Sequence, residues 1–161
     1  MAPLNVDENI FPQVEIGEMA LTAMLSFCEQ AAYLETGGIL VGSYSADGTL
    51  AHVNEALGPP PGSRSTPTEF TRNTGLSKAL QRKWPEQQYY LGEWHSHPRG
   101  RTIPSRQDRR QMAAIGRDAA YRCANPILII AARSRDDWRI GVWVLIDGKL
   151  RRANEAINDA K

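Results

Sequence analysis

Between residues 18 and 34 the segment EMALTAMLSFCEQAAYL places Leu21, Met24, Leu25, Cys28 and Ala32 on one helical stripe, which predicts an amphipathic helix. The run GGILVGSYS that follows is short, apolar and opened by two glycines, so a buried strand is predicted, entered near Glu35. GTLAHVNEAL reads as the second arm of a hairpin turning at Asp47 and Gly48, an Asp-Gly pair suited to tight turns. GPPPGSRSTPTEFTRN, residues 58 to 73, breaks the pattern and predicts a loop or insertion. A short helix ending before Pro85, a strand over QYYLGEWHSH and a helix from about Ser105 to Cys123 are expected next. PILIIAARS and WRIGVWVLIDG then read as strands, and the polar residues from Gly148 as a frayed end or short edge element. Helices interleaved with strands give an α/β (mixed α+β) class: one mixed sheet with helices packed against it.

A chain of 161 residues, 42% hydrophobic and 23% charged, can bury one ordinary core, so a single domain over 1–161 is expected. The formal charge of +1 argues against a general nucleic-acid coat and against a strongly anionic membrane partner. No apolar run approaches the roughly 20 residues that span a bilayer, and the opening residues lack a basic-then-apolar leader. A soluble cytoplasmic protein is expected, with Cys28 and Cys123 as buried reduced thiols rather than a disulfide scaffold.

The chemistry concentrates in the pattern His-x-His-x7-Ser-x2-Asp. His95 and His97 are two apart on a strand, so both imidazoles point to one side and can converge on a metal. Catalytic zinc sites use three His or carboxylate ligands and keep a fourth position for water, which makes Asp108 the natural third ligand. Pro104, Ser105 and Asp108 also match a helix start with Ser105 as N-cap, and both readings hold together. Helical phase places Asp108 on the face of Met112, Ile115, Ala119 and Cys123, and a carboxylate aimed inward beside two histidines must be paired or coordinated. His52 reads as an ordinary satisfied residue outside this pattern. A hydrolytic site also needs a base. Glu35 is aimed inward by its place near the first helical stripe, before the Gly37-Gly38 turn. Glu93 shares the histidine face and is the alternative as base, partner to a histidine or substrate contact.

LETGGILVG with Glu35, GEWHSHP and PSRQD together resemble the JAMM metalloproteases, also called JAB or MPN-plus domains, over roughly residues 18 to 147. The resemblance implies a curved mixed sheet flanked by helices. It implies zinc-dependent cleavage of isopeptide or peptide bonds after a ubiquitin-like modifier. It assigns His95, His97 and Asp108 as zinc ligands, Glu35 rather than Glu93 as activator of the water, and Ser105 as the group that steadies the tetrahedral oxyanion. Glu93 stands where many eukaryotic members carry a large aromatic residue, and no long insertion follows the metal motif. The chain is thus most similar to stand-alone bacterial JAB proteins, including deconjugases encoded beside E1-like and E2-like enzymes in antiphage operons such as CBASS.

The implied partners are a ubiquitin-like modifier or a modifier-conjugated protein, together with E1-like and E2-like components; neither a membrane nor nucleic acid is expected as a partner. Arg99, Arg101, Arg106, Arg109, Arg110, Arg117 and Arg122 crowd the metal motif, either as a solvated face or as a basic rim for an acidic partner. Loop 58–73 reads as a plain surface loop, or as a lid or edge that pairs with an extended modifier tail. Two other functions compete. A RadC-like protein of DNA processing shares the histidine, serine and aspartate arrangement, but near-neutral charge and the lack of a preceding helix-hairpin-helix module weigh against it. A non-catalytic MPN-minus scaffold would not retain complete ligands.

Overall fold

The computed structural model describes residues 13–72 and 88–158. Strand β1 (Gln13–Gly17) leads into helix α1 (Glu18–Ala31), followed by β2 (Gly37–Tyr44) and β3 (Leu50–Ala56). Two short strands, β4 (Arg64–Ser65) and β5 (Phe70–Thr71), form a ribbon, and β6 (Tyr89–His97) follows. Helix α2 (Arg106–Arg117) and a 3-10 turn (Ala119–Tyr121) lead to β7 (Ile127–Ser134), β8 (Asp137–Ile146), β9 (Lys149–Arg152) and β10 (Asn154–Asn158). The mixed sheet runs β10-β1-β3-β2-β6-β7-β8-β9. Its outermost strands, β9 and β10, are separated in sequence only by Ala153, so the sheet must curl until its two edges approach. That is the expected curved mixed sheet with helices against it.

Each face of the sheet carries its own core, as strand alternation requires. Leu40, Leu91, Trp94, Ile129 and Val144 point to the side of α1, where Ala20, Met24 and Cys28 close the layer. Ile39, Val41, Leu128, Ile130 and Leu145 point to the other side and meet Met112 and Ile115 of α2. Trp94 is fully buried, stacks on Phe27 with ring centroids 6.0 Å apart, and donates its indole N–H to the Leu57 carbonyl at 2.8 Å. A register shift between Leu40 and Val41 of β2 makes Leu91 of β6 an extra residue. Gly92, at φ +155, leaves no room for a Cβ beneath the Ile127 carbonyl. This bulge changes the parity of the strand. Tyr90 and Glu93, three apart, therefore share a face with His95 and His97.

Several expectations need correction. Helix α1 ends at Ala31, and exposed Ala32 turns out of it at φ 55, so Glu35 does not lie on the helical stripe. The second helix stops at Arg117 rather than Cys123, because the Asp118 side chain accepts from the Ala120 amide and starts a new turn. Ala119 is consequently exposed, and Cys123 reaches the core through the left-handed turn at Arg122. Val14 and Ile16 of β1 are fully buried, a strand the sequence reading did not assign. Of the two readings offered for the residues from Gly148, the edge element is the one the structure shows, as β9 and β10. The helix expected before Pro85 lies outside the described residues.

Among the described residues no helix is long and apolar enough to cross a membrane. Both cysteines are free and buried, and burial pushes each thiol up to about 12. We expect neither to react with iodoacetamide in the native protein near pH 8, and both to react once guanidinium unfolds it, as read by intact-mass spectrometry. Rapid native alkylation of either would contradict the packing described.

Candidate metal centre

Ser105 is the N-cap of α2: its Oγ accepts from the Asp108 amide at 3.0 Å while its own amide donates to Asp108 Oδ2 at 2.8 Å, a reciprocal capping box. The cap fixes where the Asp108 carboxylate stands, and helical phase does the rest, burying it with Met112 and Ile115. Its two oxygens then face the two histidines of β6. His95 Nδ1 lies 3.1 Å from Oδ1, and His97 Nε2 lies 3.3 Å from Oδ2. On the far side of the second ring, His97 Nδ1 donates to the Arg101 carbonyl at 2.8 Å. His97 thus meets acceptors at both nitrogens, which requires a second proton or a metal ion between Nε2 and the carboxylate.

Burial alone would raise the Asp108 carboxyl, but hydrogen bonds from the two imidazoles and the Ser105 amide hold it well below the usual range. Burial would lower His97, yet its bonds to Asp108 and the Arg101 carbonyl raise it. Glu35 is half-buried, and its carboxyl is pushed up by burial and by Asp108, against the opposing pull of the histidines.

Glu35 reaches the cleft by a clamp rather than by helical phase. The Thr36 amide donates to Ser96 Oγ at 2.9 Å and the Ser96 amide to the Thr36 carbonyl at 2.8 Å, extending the pairing of β2 with β6. The Glu35 amide donates to the Thr66 carbonyl of the ribbon at 2.7 Å. Beneath, Gly37 must be glycine: an added Cβ would lie 2.4 Å from the Trp94 carbonyl and 2.8 Å from both His95 and Phe70. The Phe70 ring in turn packs edge-on to His95, centroids 5.7 Å apart. Residues 58–72 are therefore neither a plain loop nor detached from the site, since the ribbon forms one wall of it. Gln107 of α2 donates to Glu69 across the gap at 3.0 Å.

The resulting cleft, about 290 Å³, is lined by Glu35, Pro67, Thr68, Phe70, His97, Ile103, Ser105 and Asp108 among others. All five candidate residues meet here, His95 buried just beneath. Two larger hollows, about 350 and 440 Å³, flank the far end of α2 and contain none of them.

Glu93 stands apart. Fully buried, it accepts from Arg72 Nε at 2.6 Å and from the Tyr90 hydroxyl in a short hydrogen bond. Arg72 itself, 4% exposed, also donates to the Tyr121 hydroxyl at 2.7 Å. Burial pushes the Glu93 carboxyl up and Arg72 pulls it down. This carboxylate is committed to holding the end of the ribbon against β6, which leaves Glu35 as the cleft carboxylate. Arg72 was missed by sequence reasoning, and its only signal was indirect: a carboxylate on a buried strand must find a cation. His52 lies outside the site, half-exposed and 3.8 Å from Glu15. The arginines at 99, 101, 106, 109, 110, 117 and 122 are all exposed.

Whether these residues suit a metal ion can be tested on the geometry. Among the described residues no three His, Cys, Asp or Glu side chains stand spread around one common point; the carboxylate contacts both rings directly. The donor set is nevertheless two imidazoles and a carboxylate, the chemistry of a catalytic zinc site. In addition, His95 Nε2 is a buried nitrogen with no hydrogen-bond partner. The residues fit.

The family model of prokaryotic homologs of the JAB domain matches residues 18–141. A CD-NTase/cGAS isopeptidase of Enterobacter hormaechei subsp. hoffmannii is 41% identical over 118 residues, 73% of this chain and 66% of that protein, so the chain spans just under two thirds of that relative. A probable metalloprotease, y4qB, of Sinorhizobium fredii is 27% identical over 150 residues, 85% of this chain and 84% of the relative. The solution structure of protein DSY2949 from Desulfitobacterium hafniense shares the fold, with a TM-score of 0.67 over 91% of this chain and 94% of the other at 16% identity. The chain belongs to the prokaryotic JAB family.

The buried Arg72–Glu93 pair makes its own prediction. Arg72→Ala strands a buried carboxylate and should cost about 3 to 5 kcal/mol, whereas the double variant Arg72→Met/Glu93→Leu should cost much less. Urea denaturation of the two variants beside the wild type reads this directly, and equal losses for single and double would refute it.

Proposed function

We propose that this chain is a single-domain, cytoplasmic zinc isopeptidase that hydrolyses the bond following the C-terminal tail of a ubiquitin-like modifier joined to a target protein. The observation that carries the reading is the histidine–carboxylate arrangement, in which both nitrogens of His97 face acceptors and a cation is required beside Asp108. His95, His97 and Asp108 would hold the metal. Bound there, zinc would supply Lewis acidity, polarising a carbonyl and making a neighbouring water nucleophilic near neutral pH. The Glu35 carboxylate takes the proton from the attacking water and returns it to the leaving amine, a role suited to its raised pKa and its place in the cleft wall. The Ser105 hydroxyl, whose oxygen accepts from the Asp108 amide, keeps its hydrogen free to donate to the developing oxyanion. The ribbon wall, with Pro67, Thr68 and Phe70, is where an extended tail would lie.

The names of the two relatives, an isopeptidase and a probable metalloprotease, support hydrolysis of a peptide or isopeptide bond. The name CD-NTase/cGAS isopeptidase further supports a conjugated CD-NTase as target; an antiphage setting with E1-like and E2-like enzymes is part of the same proposal. Incubation with a modifier fused through its C-terminal glycine to a reporter tests the activity; failure to cleave in the presence of zinc would remove it.

Two predictions follow from the ligand and base assignments. Elemental analysis should find one zinc per chain, lost in both His95→Ala and Asp108→Ala; full retention in both would show that the ligand set is wrong. Glu35→Ala should keep zinc and fold yet lower turnover by about two to four orders of magnitude, with Ser105→Asp retaining the helix cap and stability but losing most activity. Near-normal turnover of zinc-loaded Ser105→Asp would confine Ser105 to capping.

A further inference from the structure

Across the sheet from His97 the register runs to Ala132 of β7 and then to Arg139 of β8. In-register neighbours share a face, so Arg139 stands on the same face as the candidate metal ligands and about 10 Å away, two strand spacings over. The register position between them is Ala132, which carries only a methyl group. Arg101 joins from the loop after β6, its carbonyl already bonded to His97. Together with Gly100, Thr102 and Ser134 these residues line a depression of about 230 Å³. Gly100 also borders the cleft that holds Glu35 and Ser105, so the two hollows adjoin.

We infer that this depression is a subsite for an acidic side chain of the polypeptide on the leaving side of the scissile bond. Direction comes from the fold. Glu35 and the ribbon lie toward β2, on one side of β6, while Arg101 and Arg139 lie toward β8, on the other. A chain that enters along the ribbon and is cut over His97 continues across β7 onto the two arginines. Both are exposed, and neither guanidinium is paired with an acidic group among the described residues. Asp137, two residues before Arg139 on the same strand, makes no ion pair with either. The third arginine of the lining, Arg133, is engaged by Glu29 at 3.6 Å and by the Trp138 ring. Two forked donors around a small apolar floor suit a carboxylate. Nucleic acid is disfavoured: stacking platforms are what such binding needs, and among the described residues the largely exposed aromatic side chain, Tyr33, lies beyond α1 rather than beside the hollow. The inference rests on the peptidase reading only for which side of the bond the acidic residue occupies.

Fluorescence anisotropy with the full chain and two labelled peptides, Gly-Lys-Glu-Glu and Gly-Lys-Gln-Gln, tests it without requiring cleavage. The glutamate peptide should bind about tenfold more tightly. Arg139→Gln and Arg101→Gln should each reduce that preference about three- to fivefold, and the double variant should abolish it. Arg110→Gln, on the exposed side of α2, serves as a charge-matched control and should leave the preference intact. Equal binding of the two peptides, or a preference unchanged in the double variant, overturns the subsite. So does displacement of the labelled peptide by an oligothymidylate at lower concentration than by unlabelled glutamate peptide. A chain that binds the glutamate peptide selectively but cleaves no modifier fusion keeps the subsite and loses the peptidase reading. A chain that cleaves fusions to glutamate- and glutamine-bearing targets with equal kcat/KM, and shows no selective binding, keeps the peptidase and loses the subsite.

Discussion

One buried carboxylate organises this site. Asp108 must satisfy its oxygens away from water, and it does so with two imidazoles and the amide of Ser105 at the start of α2. Moving the helix by a turn would strand the carboxylate, and shifting β6 by one residue would put both rings on the other face of the sheet. Helix start, strand register and ring orientation are therefore not three independent facts. The Arg101 carbonyl completes the constraint by holding the far nitrogen of His97, which also ties down the loop between β6 and α2.

The second buried carboxylate on the same strand face has a different fate, and the difference is instructive. Glu93 lies two residues from His95, so spacing alone makes it as good a base as Glu35. Its environment decides otherwise. Arg72 and Tyr90 occupy both of its oxygens, and no part of it reaches solvent. A carboxylate with both oxygens engaged and no access to solvent is poorly placed to shuttle protons, but it can fix the ribbon that walls the cleft. Glu35 has the opposite combination: its backbone is clamped by β6 and the ribbon while its side chain stays half-open to the cleft.

The local parts of this arrangement were legible in the sequence. His-x-His on a strand, the Ser105–Asp108 cap and the hairpin at Asp47–Gly48 rest on interactions spanning a few residues, and all three stand as read. What depended on distant partners was less visible. Helical phase predicted Glu35 near the stripe of α1, yet the helix ends at Ala31 and the residue is placed by its own amide's bond to the Thr66 carbonyl and by the bonds of neighbouring Thr36 to Ser96. Extending the second helix to Cys123 failed because Asp118 offers its own side chain to the backbone, a local competition that periodicity ignores. Arg72 was hidden inside a stretch read as loop, and the bulge at Leu91–Gly92 gave no sign beyond a glycine.

These two classes of feature also divide the labour of the site. The groups that would touch a metal and a water are held by short-range motifs and by burial, so they are rigid before any substrate arrives. The walls differ on either side of β6: the ribbon is pinned through Arg72, Gln107 and the Glu35 amide, whereas Arg101 and Arg139, toward β8, stand exposed with no acidic partner among the described residues. A wall fixed by buried polar contacts selects by shape and backbone pairing, and exposed guanidinium groups select by charge at little structural cost. Substitutions on the β8 side would thus change the charge beside the cleft without disturbing Asp108, while the same freedom is denied on the ribbon side, where a change at Arg72 reaches the strand that carries both histidines.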